Sequence, residues 1–127
     1  MKIAVMGEIH QDGWKIFEDN NLESFELLNF EENNLKKELS EVDAILLRTA
    51  KLSNDVLSYC KKLKIISRHG VGYDNVNLEY LNENNISLGI TSTSNAVSVA
   101  EHVLTSFLYL SKNIHLSDRL TREGRFN

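Results

Sequence analysis

The chain has 127 residues, 42% of them hydrophobic and 25% charged, with a formal net charge of −4: the balance of one soluble globular domain with a real core. Its lysines and arginines are scattered, so no basic stripe suits a nucleic acid, and no apolar run approaches the ~18 residues that a membrane span needs. A lone Cys60 excludes an internal disulfide and fits a reducing cytoplasm, and residues 1–6 read as a strand rather than a signal peptide.

The predicted elements alternate. Residues 3–6 form a first apolar strand closed by Gly7, and Trp14, Ile16 and Phe17 begin a helical face. Residues 25–28 read as a second strand, and Leu35 and Leu39 mark a short helix. Residues 44–47 give a third strand, and Val56 and Leu57 the helix after Ser53. Residues 63–66 are the fourth strand, Leu78 and Leu81 face inward from a short helix, and residues 86–90 are the fifth strand. Five strands alternating with helices predict an α/β fold whose parallel sheet is covered on both faces. Right-handed crossovers favour a doubly wound, flavodoxin-like order 2-1-3-4-5. The chain has no proline, so its helices stop at Asn20-Asn21 and Asn84-Asn85.

The last third breaks this rhythm. Residues 96–120 contain neither Gly nor Pro, and Val99, Val103, Phe107 and Leu110 recur at helical spacing, widened by Leu104 and Leu108. Ser94 or Asn95 can cap this helix, which runs on with a bend past Ile114 and Leu116 towards Arg122 and Gly124. Such a helix overshoots a five-stranded sheet and needs something else to pack on. The chain therefore divides into residues 1–94 and a helical tail, 95–127.

The chemistry gathers at Ser67-Arg-His-Gly-Val-Gly-Tyr-Asp-Asn75, directly after the fourth strand. Gly70-Val-Gly72 opens like a G-x-G-x-x-G dinucleotide fingerprint, but Asn75 stands at the third glycine position and the strand is not the first. Two readings stay open: a tight turn without a ligand, or a loop offering main-chain N–H groups to a small anion. Arg48 directly follows the third strand, where it can clamp a carboxylate or phosphate or lie solvated. Neighbouring third and fourth strands would bring Arg48 and the loop into one cleft. Asn95 can be an N-cap or can orient a carbonyl or carboxylate there. Glu101 and His102 are adjacent on a helix and so diverge: Glu101 reads as a structural hydrogen-bonding residue, His102 as a packed or surface histidine. His69 borders the loop, whereas His10 and His115 have no partners in the sequence that suggest a site. No Cys/His cluster has metal spacing, and no nucleophile–base arrangement is visible.

Residues 63–75 with Val76-Asn77-Leu78, then Gly89-Ile90, then the run from Ser94-Asn95 to Glu101-His102, resemble the D-isomer-specific 2-hydroxyacid dehydrogenases. Residues 67–75 are most similar to the phosphoglycerate dehydrogenase type, and residues 95–102 also resemble formate dehydrogenases. The resemblance implies a flavodoxin-like substrate domain in which the N–H groups of Gly70, Val71 and Gly72 hold a substrate carboxylate. It implies that Arg48 assists, that Asn95 touches the substrate beside the nicotinamide, and that Val99 lines the nicotinamide side. One departure is Ser92-Thr-Ser94, where family members usually have a proline before the asparagine. The family's NAD-binding Rossmann domain and catalytic Arg, Glu and His have no counterpart in these 127 residues. The expectation is therefore the substrate half of an NAD-dependent enzyme, with no catalytic residue of its own, no cofactor bound alone and no hydride transfer. Its expected partners are a small 2-hydroxy or 2-oxo acid and a second copy, in a homodimer through the C-terminal helix. The alternative is a non-catalytic small-anion-binding or regulatory α/β module. A receiver domain would need an Asp where Arg48 lies, and a flavodoxin a hydroxyl-rich loop where Gly7-Glu-Ile-His10 lies.

Overall fold

Five parallel strands carry the first of two structural units in the computed structural model, which describes residues 1–125. In chain order this unit, Met1–Ser92, contains β1 (Lys2–Met6), α1 (Gln11–Asp19), β2 (Glu23–Glu26), α2 (Glu32–Glu38), β3 (Ala44–Leu47), α3 (Asn54–Tyr59), β4 (Ile65–Arg68), α4 (Leu78–Glu83) and β5 (Ser87–Ile90). The sheet order is β2-β1-β3-β4-β5, the doubly wound order expected from the alternation. Central β3 pairs on both sides, Ala44 with Ile3 and Ile65, Leu47 with Met6 and Arg68. That double pairing explains its unbroken apolar run, Ala-Ile-Leu-Leu.

Local signals set the helix ends. Ser53 Oγ accepts from Val56 N at 3.2 Å and Asn77 Oδ1 from Tyr80 N at 3.2 Å, each satisfying an otherwise orphan first-turn donor. Asn21 (φ 52°) and Asn85 (φ 54°) end α1 and α4 in the left-handed region, the stop that asparagine supplies where the chain has no glycine. At the amino edge, Asp43 binds Lys2 N at 2.9 Å and Lys64 Nζ at 3.2 Å, joining β1, β3 and β4. These hydrogen bonds, first from Lys2 and then from Lys64, hold its carboxyl below the usual range.

Side chains alternate across the sheet. Ala4, Met6, Ile45, Leu47 and Ile66 point to one face and form the core with Leu35 and Leu39 beside α2, Val56 and Leu57 of α3 and Leu81 of α4. Ile3, Val5, Ala44, Leu46, Ile65 and Ser67 point to the other. Only the β1–β2 crossover steps the opposite way along the sheet, so right-handedness assigns α1 alone to that second face. Cover there is partial. Ile3 and Val5 are buried, but Ile65 is 38% exposed and Ser67 and Ser87 are open to solvent. Both faces carry helices as expected, but unevenly: this unit has three for one face and one for the other.

Two further expectations shift. The second strand lies two residues earlier than predicted: Leu27 N still bonds Val5 O, but Leu28 is 80% exposed and the chain turns at Asn29. Leu78 does not face inward. It is the first residue of α4 and exposed, whereas Leu81 carries that helix's contact with the core.

The second unit, Thr93–Asn127, holds α5 (Ala96–Ser111) and α6 (Ile114–Arg122). The single bent helix predicted here is two helices. Lys112 caps α5, and Asn113 adopts the left-handed conformation (φ 48°), which breaks the helical hydrogen-bond ladder. α5 has no buried residue, and Val97, Val103, Leu104, Phe107 and Leu110 are all more than half exposed.

Candidate functional site

The candidate residues of the first unit meet at the carboxyl edge of the sheet, where an open α/β fold places its ligands. Arg48 follows β3 and lies between two anchors. Its N–H donates to Met6 O at 3.1 Å, and its Nη1 donates to Glu8 O at 3.0 Å, across the β1–α1 loop. Gly7 makes that approach possible: it has φ +112°, and a Cβ there would stand 3.0 Å from Arg48 Cβ. One of five guanidinium N–H donors is thus committed to the protein.

The loop after β4 is secured at its margins. His69 N donates to Leu47 O at 2.8 Å, Thr91 N donates to Gly70 O at 3.1 Å, and Val76 N donates to Tyr73 O at 3.2 Å. Among the described residues, the N–H groups of Val71 and Gly72 donate to no protein acceptor. Val71 is 37% exposed and Gly72 is open, so both residues are accessible to solvent. Two adjacent unused N–H groups after β4, with an arginine at the end of neighbouring β3, are groups able to hold a carboxylate.

Two contributors escaped the sequence reading. Arg68 ends β4, and its Nη1 donates to His69 O at 2.9 Å. A Cβ on Gly70 would fall 1.3 Å from that Nη1, so any other residue there would displace the end of the arginine side chain. Arg68 Nε is buried and has no hydrogen-bond partner. The signal was strand alternation: Arg68 pairs in register with Leu47 and so points to the opposite side from Ser67 and His69. Asn75, read in the sequence only as the failure of a nucleotide fingerprint, is the second. Its Nδ2 donates to Ala50 O at 2.8 Å and Arg48 O at 3.4 Å, and its own carbonyl accepts from Leu52 N at 3.1 Å.

The residues do not suit a dinucleotide. A pyrophosphate loop leads straight from a strand into an open helix N-terminus. Here the short α4 begins only at Leu78, and its first-turn donor at Tyr80 is taken by Asn77. His69 instead lines an apolar cavity of about 260 Å³ with Ile9, Gly13, Ile16, Phe17 and Leu46. His10, on the rim of the same cavity, caps α1 by accepting from Asp12 N at 3.3 Å.

The second unit carries the other candidates. Asn95 is the N-cap residue of α5, though its side chain makes no capping hydrogen bond; Ala96 N bonds Thr93 O instead. Val99 is 51% exposed on α5. Glu101 and His102 are both exposed, and among the described residues the Glu101 side chain makes no hydrogen bond, contrary to the structural role expected of it. No group of three or more His, Cys, Asp or Glu among the described residues could hold a metal ion.

A parallel 2-1-3-4-5 sheet with a glycine loop and an arginine at its carboxyl edge defines the class: a doubly wound α/β domain with a candidate anion site at that edge. Residues 3–127 match the family described as D-isomer specific 2-hydroxyacid dehydrogenase, catalytic domain, and the chain belongs to that family. D-3-phosphoglycerate dehydrogenase of Methanocaldococcus jannaschii is 30% identical over 129 residues, and that of Archaeoglobus fulgidus is 29% identical over 127. These alignments cover 100% and 99% of this chain but 24% of each relative, so the chain spans about a quarter of their length. Among solved structures, a Pyrococcus horikoshii protein superposes with a TM-score of 0.86 at 26% identity, over 98% of this chain and 37% of that one. The NAD-dependent formate dehydrogenase of Staphylococcus aureus, solved in complex with NAD, gives 0.76 at 29% identity, over 100% of this chain and 43% of that one. No helix among the described residues is long and apolar enough to cross a membrane.

Proposed function

We propose that this chain is the substrate-binding part of an NAD-dependent D-2-hydroxyacid dehydrogenase of the phosphoglycerate dehydrogenase type. The observation that carries the reading is the pair of unused N–H groups at Val71 and Gly72, set on an exposed loop at the sheet edge beside Arg48. In this role the two N–H groups and Gly70's turn cradle the carboxylate of a 2-hydroxy or 2-oxo acid, and Arg48 supplies the positive charge. In such an enzyme NAD would take up the hydride from carbon 2 of the acid. On this reading the chain by itself binds the acid without turning it over. The single buried Cys60 supports a reducing compartment, the cytoplasm.

Titration of the purified chain with D-glycerate, followed by amide NMR, tests the reading. The Val71 and Gly72 resonances are expected to move, and Arg48→Gln to weaken the effect at least ~10-fold, the loss of one charge-assisted hydrogen bond of ~1.4 kcal/mol or more. Unmoved amides at saturating acid would refute the cradle. NADH oxidation with hydroxypyruvate, glyoxylate or 2-oxoglutarate is expected to stay at background; turnover by the chain alone would refute the division of labour.

A further inference from the structure

Arg48 and the glycine loop belong to different strand ends, and nothing in either loop by itself fixes their separation. Asn75 bridges them. Its Nδ2 spends both protons on the segment after β3, at Ala50 O (2.8 Å) and Arg48 O (3.4 Å). Its backbone carbonyl takes Leu52 N at 3.1 Å. These three bonds span from 23 to 27 residues in sequence and tie residues 48–52 to the carboxyl-terminal end of the loop. The bond to Ala50 O is partly buried and Leu52 and Val76 beside it are buried outright, so water competes poorly for it, whereas the longer bond to Arg48 O is exposed. The opposite end of the loop is held separately, by His69 N on Leu47 O and Thr91 N on Gly70 O. Without the Asn75 side chain, that end of the loop would keep only the backbone bond from Leu52 N to tie it to the segment after β3.

We infer that Asn75 is a positioning residue: it sets the distance between the arginine and the N–H groups of Val71 and Gly72, and so the fit of the site to one carboxylate. The inference rests on the proposed function for its consequence in binding, but not for its geometry. No other side chain of similar size does the same work. Aspartate keeps the shape but offers oxygen to two carbonyl oxygens. Serine keeps a donor but is one bond shorter and cannot reach both acceptors.

Asn75→Asp and Asn75→Ser, each in the full chain, test this in two independent measurements. In the first, without ligand, amide NMR is expected to show shifts at Ala50–Leu52 and at Gly70–Gly72 together, with Leu52 losing protection from hydrogen exchange at least tenfold. Shifts confined to the immediate neighbours of residue 75 would overturn the inference. In the second, titration with D-glycerate is expected to give at least tenfold weaker binding in Asn75→Asp, while urea unfolding shows the variant still folded. A variant that only loses stability, with the affinity of its folded fraction unchanged, would also overturn it. If the unsubstituted chain fails to bind D-glycerate, the proposed function falls and the first measurement alone decides the role of Asn75. If Asn75→Asp does not fold, Asn75→Ser carries both measurements.

Discussion

At the scale of single residues, the candidate site pairs main-chain N–H groups with the Arg48 side chain, and glycines make room for the arginines around it. Glycine at 70 makes room for the Arg68 guanidinium, and glycine at 7 makes room for Arg48. Cys60 illustrates the reverse case, a reactive group silenced by its surroundings. Burial pushes its thiol up to about 11 from an ordinary 9.0, only weakly opposed by the charge of Lys61, and its Sγ donates to Val56 O at 3.4 Å. Iodoacetamide at pH 8 should therefore leave the folded chain unmodified and label it fully in urea; rapid labelling of the native chain would contradict this. The linkage has a definite sign. Below pH 9 the thiol is protonated in folded and unfolded chains alike. Between about 9 and about 11 only the unfolded chain releases the proton, so stability falls as pH rises through that window. Urea midpoints at pH 8 and pH 10.5 for the chain and for Cys60→Ala would show the difference.

At the scale of elements, the sheet is strongly one-sided. Ile45 is fully buried on the face covered by α2, α3 and α4, and Ile65, its diagonal neighbour on β4, lies 38% exposed on the other. Ile45→Ala should cost about 2–5 kcal/mol and Ile65→Ala less than about 1 kcal/mol, measured by urea unfolding. Comparable costs would mean that the outer face is covered after all. Most of this level was legible in advance. Short apolar runs alternating with helical segments marked five strands, and the handedness of crossovers favoured their order, because both follow from local sequence and sterics. Partial cover was not legible, since the count of helices per face depends on where the crossovers turn back. Asn113 was missed for a related reason: a residue able to adopt positive φ is easily seen, but whether it does is a tertiary choice. At the site, Arg48 and the glycines were visible as residue types at strand ends. Arg68 and Asn75 were not, because their roles lie in which backbone carbonyls they reach.

At the scale of the whole molecule, the exposed apolar side chains of α5 dominate. Val97, Val103, Leu104, Phe107 and Leu110 are each more than half exposed on one helix, more apolar surface than a monomeric soluble protein ordinarily shows in one place. We expect two copies to associate through α5, with self-complementary packing about a two-fold axis. Light scattering should report a mass near twice 14.5 kDa at high concentration. Phe107→Glu should return the chain towards the monomer, because a carboxylate at the centre of such a contact is buried without a partner. A monomer throughout, or a dimer indifferent to Phe107→Glu, would refute this.

The partly covered face of the sheet also bears on how the chain is handled at the bench. Ile65 and the cavity lined by Ile9, Ile16, Phe17 and Leu46 offer hydrocarbon to any amphiphile in solution while the fold is intact. An environment-sensitive dye such as ANS should fluoresce with the native chain at room temperature. Dye-based melting curves would then start bright and lose contrast, and circular dichroism would be the sounder measure of thermal unfolding.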